Sequence, residues 1–407
     1  MQIVAWLSLT VLSVALGASV VQYLTVHPLQ MSRFLLASAS LFFLAILLLV
    51  TQFGWPLIVV AFGVSILAFL AGYTVMTRRF LAREDERPVP AIVRARDDPG
   101  QGHTAIIYFT HGEPETFDPI GWINQFREFD HQGIAFAPLL VRPIFVYKVR
   151  QKYLRVGASG HRRMHEQMIK SLEACYRQAG DLTTKFYICF LDDNPRPDAA
   201  VIQALNDGAS RIIVAEVFLT ISNHTAEGKA LIEEIGIDQY RVELAYTGPM
   251  WDSEMLKDMY VQRANKHLNG ITKTETAVLL VGHGQPDEWD QEWPTLTEQE
   301  ISFRQDILDR FVADGYLHDN LGLAWMMFKQ PAPGPMIEQW AARGIKQVFF
   351  IPAAISAEAI HSQADIPELV EAARVPPDFP RINLGPWNND PMTIAAIKAK
   401  IDAQLTA

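Results

Sequence analysis

The first 77 residues carry almost no charge, Arg33 being the only charged side chain among them. That excludes a solvent-facing lobe and leaves three apolar stretches, roughly residues 3–23, 34–53 and 55–76. Each is long enough for a helix to cross a hydrocarbon core of about 30 Å. No basic segment precedes the first stretch and two more follow it, which speaks against a cleaved secretion signal and for three transmembrane helices. The last two form a hairpin that turns at Gln52, Phe53, Gly54 and Trp55. No ionisable residue inside the spans marks a transport path, so they read as an anchor. Arg33 separates the first two spans and Arg78, Arg79, Arg83 and Arg87 follow the third, whereas the other ends carry no basic residue. Basic flanks are retained on the cytoplasmic side. The expectation is a multi-pass protein of the cell (inner) membrane, amino terminus outside and everything beyond residue 80 cytoplasmic.

Cysteine is nearly absent too. Cys175 and Cys189 are the only two, and with no CxxC pair they exclude an Fe–S cluster or a structural zinc ribbon built from this chain alone. Both can remain thiols in a reducing compartment. A basic stripe is also missing: the net charge is −10, which argues against nucleic acid as a partner. Residues 81–102 are polar, hold Pro88, Pro90 and Pro99, and have the composition of a linker. The division expected is a membrane domain at 1–80, this linker, and a folded domain at 103–407, with the core built after the linker so that deletion of residues 1–80 leaves it folded and soluble.

What the folded domain has is a motif that occurs twice. Thr104-Ala-Ile-Ile-Tyr-Phe-Thr-His111-Gly-Glu-Pro recurs as Thr276-Ala-Val-Leu-Leu-Val-Gly-His283-Gly-Gln-Pro, an apolar strand that delivers a histidine at its carboxyl end. A second histidine follows another β-rich run in each half, His224 and His361. Strands predicted near 105–110, 186–191, 211–219, 278–281, 321–327 and 347–351 alternate with helical segments, including 161–178, 253–268 and 296–314, which implies parallel sheets covered by helices. The fold class expected is α/β: two similar lobes, about 103–250 and 251–390, and a carboxyl-terminal helix at about 391–405, preceded by the three transmembrane helices. Ligands bind beyond the carboxyl ends of such strands, where imidazole nitrogens suit Fe, Co, Ni or Zn. The halves are not identical: His224 comes sixteen residues after Gly208, and His361 seventeen after Gly344.

These residues resemble a family. Gly112, Pro114, Glu115 and Thr116 are similar to the opening Gly-Thr-Pro-Glu of ferrochelatases, within the class II tetrapyrrole chelatases, and residues 152–160 to their Tyr-x-x-Ile-Gly-Gly-Gly-Ser-Pro stretch. Gly282, His283 and Pro286 resemble the Ala-His-x-x-Pro element that carries the family's metal-site histidine. His361 stands nine residues after Pro352, where ferrochelatases place a catalytic glutamate; here it is histidine, as in cobaltochelatases. Residues 216–224 resemble the cobaltochelatase Pro-Leu-Phe-Leu-x-x-Gly-x-His loop, with Glu216 for the proline and Ser222 for the glycine. The Gln-Ser-Arg-x-Gly-x-x-x-Trp-Leu cleft segment is shortened to residues 328–335.

The resemblance implies a chelatase-like duplicated fold and a membrane-anchored enzyme that inserts a divalent metal, Fe(II) first, into a protoporphyrin-type tetrapyrrole in haem biosynthesis. A sirohydrochlorin chelatase for cobalt or nickel is one alternative, and a non-catalytic haem or metal sensor another. It implies His283 as proton acceptor and metal-facing group and His361 as second ligand, with His111 and His224 as a possible second pair. Glu358 and Asp365, with Glu368 near them, would orient His361 or lead protons out. No permanently bound cofactor is expected, the metal being a substrate; the partners are the tetrapyrrole, the metal ion and the lipid bilayer. His161 and His165 lie in a basic helical stretch and are expected to be solvated.

Overall fold

The apolar runs that end at His111 and His283 become the inner strands of two sheets. The computed structural model describes residues 2–55, 57–85, 88–131, 133–134, 136–287 and 295–406. Arg87, one of the basic residues that fix the expected orientation, lies outside them. The chain divides into two compact units, residues 1–86 with 116–158, and residues 87–115 with 159–407.

In the larger unit, β1 (His103–Thr110), β2 (Lys185–Phe190), β3 (Ala209–Glu216) and β4 (Glu243–Tyr246) pair in parallel in the order β2-β1-β3-β4. The second half repeats this with β5 (Thr276–Gly282), β6 (Leu321–Trp325), β7 (Gln347–Ile351) and β8 (Arg381–Asn383) in the order β6-β5-β7-β8. The duplicated α/β architecture is therefore present. The edge strands β4 and β8 are half-exposed and carry Glu243 and Arg381, so they show no apolar run to predict them by.

Strand alternation divides the core into three layers. Ile106 and Tyr108 of β1 face the same interior as Val278 and Leu280 of β5, together with Phe349 and Ile351 of β7. Their neighbours Ala105, Ile107 and Phe109 turn to a cluster beneath α7 (Pro197–Asn206). Ala277, Leu279 and Val281 turn to one with Ile337 and Trp340 on α11 (Pro333–Ala342). Buried on both faces, β1 and β5 have no polar side to present, which is why they read as continuous apolar runs. The shared interior is closed by α6 (His161–Gln178), α9 (Glu254–Lys266), α10 (Thr297–Ala313) and α13 (Pro391–Thr406). Arg211 of β3 donates to the carbonyls of Gln404 and Leu405, holding α13 against the first half.

The smaller unit contains α1 (Gln2–Thr25), α2 (Met31–Gln52) and α3 (Leu57–Leu81), each long and apolar enough to cross a membrane. A Cβ at Gly17 would lie 2.1 Å from the Phe69 carbonyl oxygen and one at Gly72 2.0 Å from that of Val14. The backbones of α1 and α3 meet there, an approach that a residue without a Cβ permits. The unit also holds α4 (Ile120–His131) and α5 (Arg142–Val156), supplied by the chain between β1 and α6.

Candidate metal centre

Each strand-end histidine is fixed by the glycine that follows it. Gly112 has φ of 88° and Gly284 a φ of 76°, a region that favours glycine. A Cβ at Gly284 would also stand 2.0 Å from the Met327 carbonyl oxygen. This turn brings the glycine carbonyl back onto the ring: His111 Nδ1 donates to Gly112 O at 2.7 Å and His283 Nδ1 to Gly284 O at 2.6 Å. The histidine carbonyls accept in turn from Asp192 N at 2.8 Å and Met327 N at 3.2 Å. With Nδ1 carrying the proton, the lone pair of the neutral ring is on Nε2. His–Gly is thus a device for presenting one nitrogen, and it is built twice.

The second histidines do not sit on strand ends. His224 lies in the first turn of α8 (Asn223–Glu233) and His361 opens a π-helical turn (His361–Asp365) that leads into α12 (Ile366–Glu371). Such π turns concentrate at functional sites. The His111 and His224 rings are 4.5 Å apart edge to face, and His283 and His361 5.2 Å apart in the same manner. His361 Nδ1 donates to Asp365 Oδ2 at 2.7 Å, again leaving Nε2 with the lone pair of the neutral ring. Glu358 is turned elsewhere: its carboxylate pairs with Arg163 at 3.6 Å, beside Gly160.

The four rings belong to one electrostatic centre. Burial pushes the pKa of His283 down to about 4, with His361 and His111 adding to the effect. His224 is held well below its ordinary value by burial, then by His111 and His283. The two lobes thus act on each other's rings, and it is His283 and His224 whose protonation is disfavoured. Among the described residues, no three histidine, cysteine, aspartate or glutamate side chains gather into a closed cage for a metal ion. Next to Asp365, a cavity of about 220 Å³ is lined by Met326, Met327, Glu368 and Leu369. It is smaller than a pocket for a drug-sized ligand, about 300–1,000 Å³.

Three neighbouring residues carry more than their sequence positions suggest. Glu113, the one charged difference between the two copies of the motif, accepts from Ile360 N at 3.0 Å and from Ser159 Oγ, and so ties the first lobe to the residue before His361. Burial raises its pKa, against the pull of the Ser159 hydroxyl and of His361. Its counterpart in the other copy is the neutral Gln285, and this charge difference was visible in the repeat. His161 and His165, expected to be solvated, are buried instead. They lie on the stripe of α6 that also carries Met168, Leu172 and Tyr176, a helical period of about 3.6 that outweighs the local basic residues. His165 shares hydrogen bonds with Tyr108 Oη at 2.8 Å, Thr110 Oγ1 at 3.2 Å and Ser356 Oγ at 3.1 Å, joining the two lobes.

Burial, aided by His111, pushes His165 down to about 3. An unfolded histidine takes up its proton near pH 6.5, whereas the folded His165 and His283 resist until about 3 and 4. Stability is therefore full above the unfolded value and is lost as pH falls through 6.5 towards these folded values. Thermal unfolding of the larger unit is expected to show a midpoint lower by roughly 5–10 °C at pH 5 than at pH 7. The same scans on His165→Gln check the origin, since that variant loses part of the pH dependence.

No protein-family model and no curated protein sequence matches the chain. Among solved structures, SirB from Bacillus subtilis with Fe3+ is similar over 74% of this chain and 94% of its own, at 15% identity and a TM-score of 0.45. The sirohydrochlorin chelatase SirB from Bacillus subtilis subspecies spizizenii in complex with cobalt covers the same shares at 13% identity and 0.42. CbiX, the terminal enzyme for biosynthesis of siroheme in denitrifying bacteria, is similar over 74% of this chain and 98% of its own, at 12% identity and 0.38.

Proposed function

We propose that this protein is a membrane-anchored chelatase that inserts a divalent metal ion into a tetrapyrrole. The observation that carries the reading is the doubled His–Gly device within two edge-to-face imidazole pairs: the Nδ1 protons of His111, His283 and His361 are held by backbone or carboxylate, which leaves their Nε2 atoms to face outward, that of His111 3.5 Å from the Asp192 carboxylate. Insertion exchanges two pyrrole protons for the metal, so the site needs ligands that hold a cation weakly and groups that accept two protons. An open pair of imidazoles suits a cation in transit better than a closed cage would.

The roles divide by environment. His283, with its depressed pKa, keeps its lone pair for the metal and is a poor store for a proton. His361 has Asp365 behind its Nδ1, which stabilises the imidazolium, and is the better acceptor. Glu113, held against the residue before His361 and with its pKa raised by burial, is the carboxylate we assign to take the second proton.

Fe(II) and protoporphyrin are the substrates implied by the ferrochelatase resemblance. A second reading, insertion of cobalt or nickel into sirohydrochlorin, is favoured by one feature: histidine, not glutamate, stands at 361, and His224 pairs with His111. The test is absorption spectroscopy of the purified protein with protoporphyrin or sirohydrochlorin and each of Fe(II), Co(II), Ni(II) and Zn(II). Turnover beyond one equivalent establishes the enzyme, and the fastest pair names the substrate. Retention of added haem with no turnover on any pair overturns the proposal in favour of a sensor.

A further inference from the structure

The α4–α5 hairpin is spliced into the chain between β1 and α6, yet it packs with the three long apolar helices. Arg150 of α5 is fully buried and caps α1: its Nη1 donates to the carbonyls of Tyr23 at 2.7 Å and Val26 at 2.8 Å. A cation against the last carbonyls of a helix satisfies groups that have no partner within it. Its guanidinium also lies over the Tyr23 and Tyr147 rings. At the other end of the hairpin, Tyr73 of α3 donates its hydroxyl to the Leu140 carbonyl at 3.0 Å, and Arg127 donates to Leu81 O at 3.0 Å.

These contacts fix a depth. The apolar run of α3, residues 57–76, spans about 30 Å at 1.5 Å per residue, so the hydrocarbon edge falls just beyond Tyr73. Leu140 is therefore held at that edge, and α5 runs from there to the end of α1. The outward side of this segment is apolar as well as basic. Leu140, Val141, Ile144 and Leu154 are each more than 40% exposed, and Lys148 is exposed between them. Arg33, Arg78 and Arg79, at the same end of the helices, are exposed too. Apolar side chains left uncovered in water would be costly, but an amphipathic helix in the interface buries them among acyl chains and sets its basic residues among headgroups.

We infer that residues 139–156 form an interfacial lipid-binding segment whose occupant is the anionic headgroup layer of the bilayer that α1, α2 and α3 cross. The inference rests on reading those helices as membrane spans. Lys148 and its basic neighbours face phosphate-bearing anionic lipid while Val141 and Ile144 enter the acyl boundary. This would set the hairpin against the membrane surface.

The full-length protein, with Cys175→Ser and Cys189→Ala, is to be spin-labelled at one of three introduced cysteines and reconstituted in vesicles with or without 30% anionic phosphatidylglycerol. Ile144→Cys reports the hairpin, Phe43→Cys the middle of α2, and Leu182→Cys the larger unit. The Ile144 label is expected to be accessible to oxygen and shielded from a water-soluble nickel chelate in anionic vesicles. Lys148→Glu should lower its shielded fraction relative to the exposed one by about fivefold or more. A water-exposed Ile144 label with a buried Phe43 label overturns the interfacial segment while leaving the spans intact; an exposed Phe43 label overturns the spans themselves. Shielding that is unchanged by Lys148→Glu and by lipid charge overturns the headgroup role. Concentration-dependent dipolar coupling between Ile144 labels overturns the lipid in favour of a second copy.

Discussion

Replacing His283 with alanine is expected to reduce metal insertion by about two orders of magnitude or more, with His361→Ala close behind it. The scale follows from metal sites in general, where loss of a group that merely orients a ligand costs about 10–100-fold; loss of the ligand should cost at least that. Neither change should unfold the domain, because both rings stand at the mouth of the sheet and their backbone turns are held by Gly284 and by the π-helical turn. The measurement is a steady-state insertion rate beside a thermal unfolding scan. A rate loss accompanied by a fall of many degrees would mean that the histidine is structural.

The duplication makes this a test with two sides, because His111 and His224 form a second edge-to-face pair. Glu113 breaks the symmetry, since it accepts from the residue before His361 and no such carboxylate stands at position 285. The working pair is therefore expected in the second half. Should His111→Ala and His224→Ala abolish insertion while His283→Ala remains active, the assignment is inverted. His361→Glu exchanges an imidazole for a hard oxygen ligand, and relative rates among Fe(II), Co(II) and Ni(II) should then shift; an unchanged profile would mean that His361 does not touch the metal.

Much of this architecture can be read in the chain, and the illegible parts have physical reasons. The inner strands and the long helices are visible because burial on two faces or one stripe imposes a pattern; helix 161–178 is recovered to the residue. The strand-end histidines stand out because the His–Gly turn occurs twice. The edge strands β4 and β8 are half-exposed, so nothing forces a pattern on them. His165 was obscured by Arg162 and Arg163 beside it, although its burial is dictated by the opposite face of the same helix. The destination of residues 116–158 was hidden for another reason. Their aromatic residues Trp122, Phe126, Phe136 and Phe145 pack on one another, and nothing in such a cluster says which of two units it will join.

That destination changes what truncation should do. Removing only residues 1–80 would strip α4 and α5 of the helices they pack on, uncovering the buried Arg150, Tyr147 beside it and the Leu140 backbone that Tyr73 holds. Such a fragment is expected to aggregate or to require detergent. The cleaner cut takes the whole smaller unit. Glu115 and Ser159, the residues that bracket the inserted hairpin, are already joined in the larger unit by a backbone hydrogen bond, Ser159 N to Glu115 O at 2.9 Å. A short Gly/Ser link can replace residues 116–158 there at small entropic cost, because the ends need not be drawn together. A protein made of residues 88–115, this link and residues 159–407 should be soluble without detergent and elute as a compact species, with the His165 network and both histidine pairs intact. The paired measurement is size-exclusion chromatography of the two truncations at equal concentration. If deletion of residues 1–80 alone gives the monodisperse soluble protein and the double excision gives aggregate, residues 116–158 belong to the folding unit of the sheets and not to that of the apolar helices.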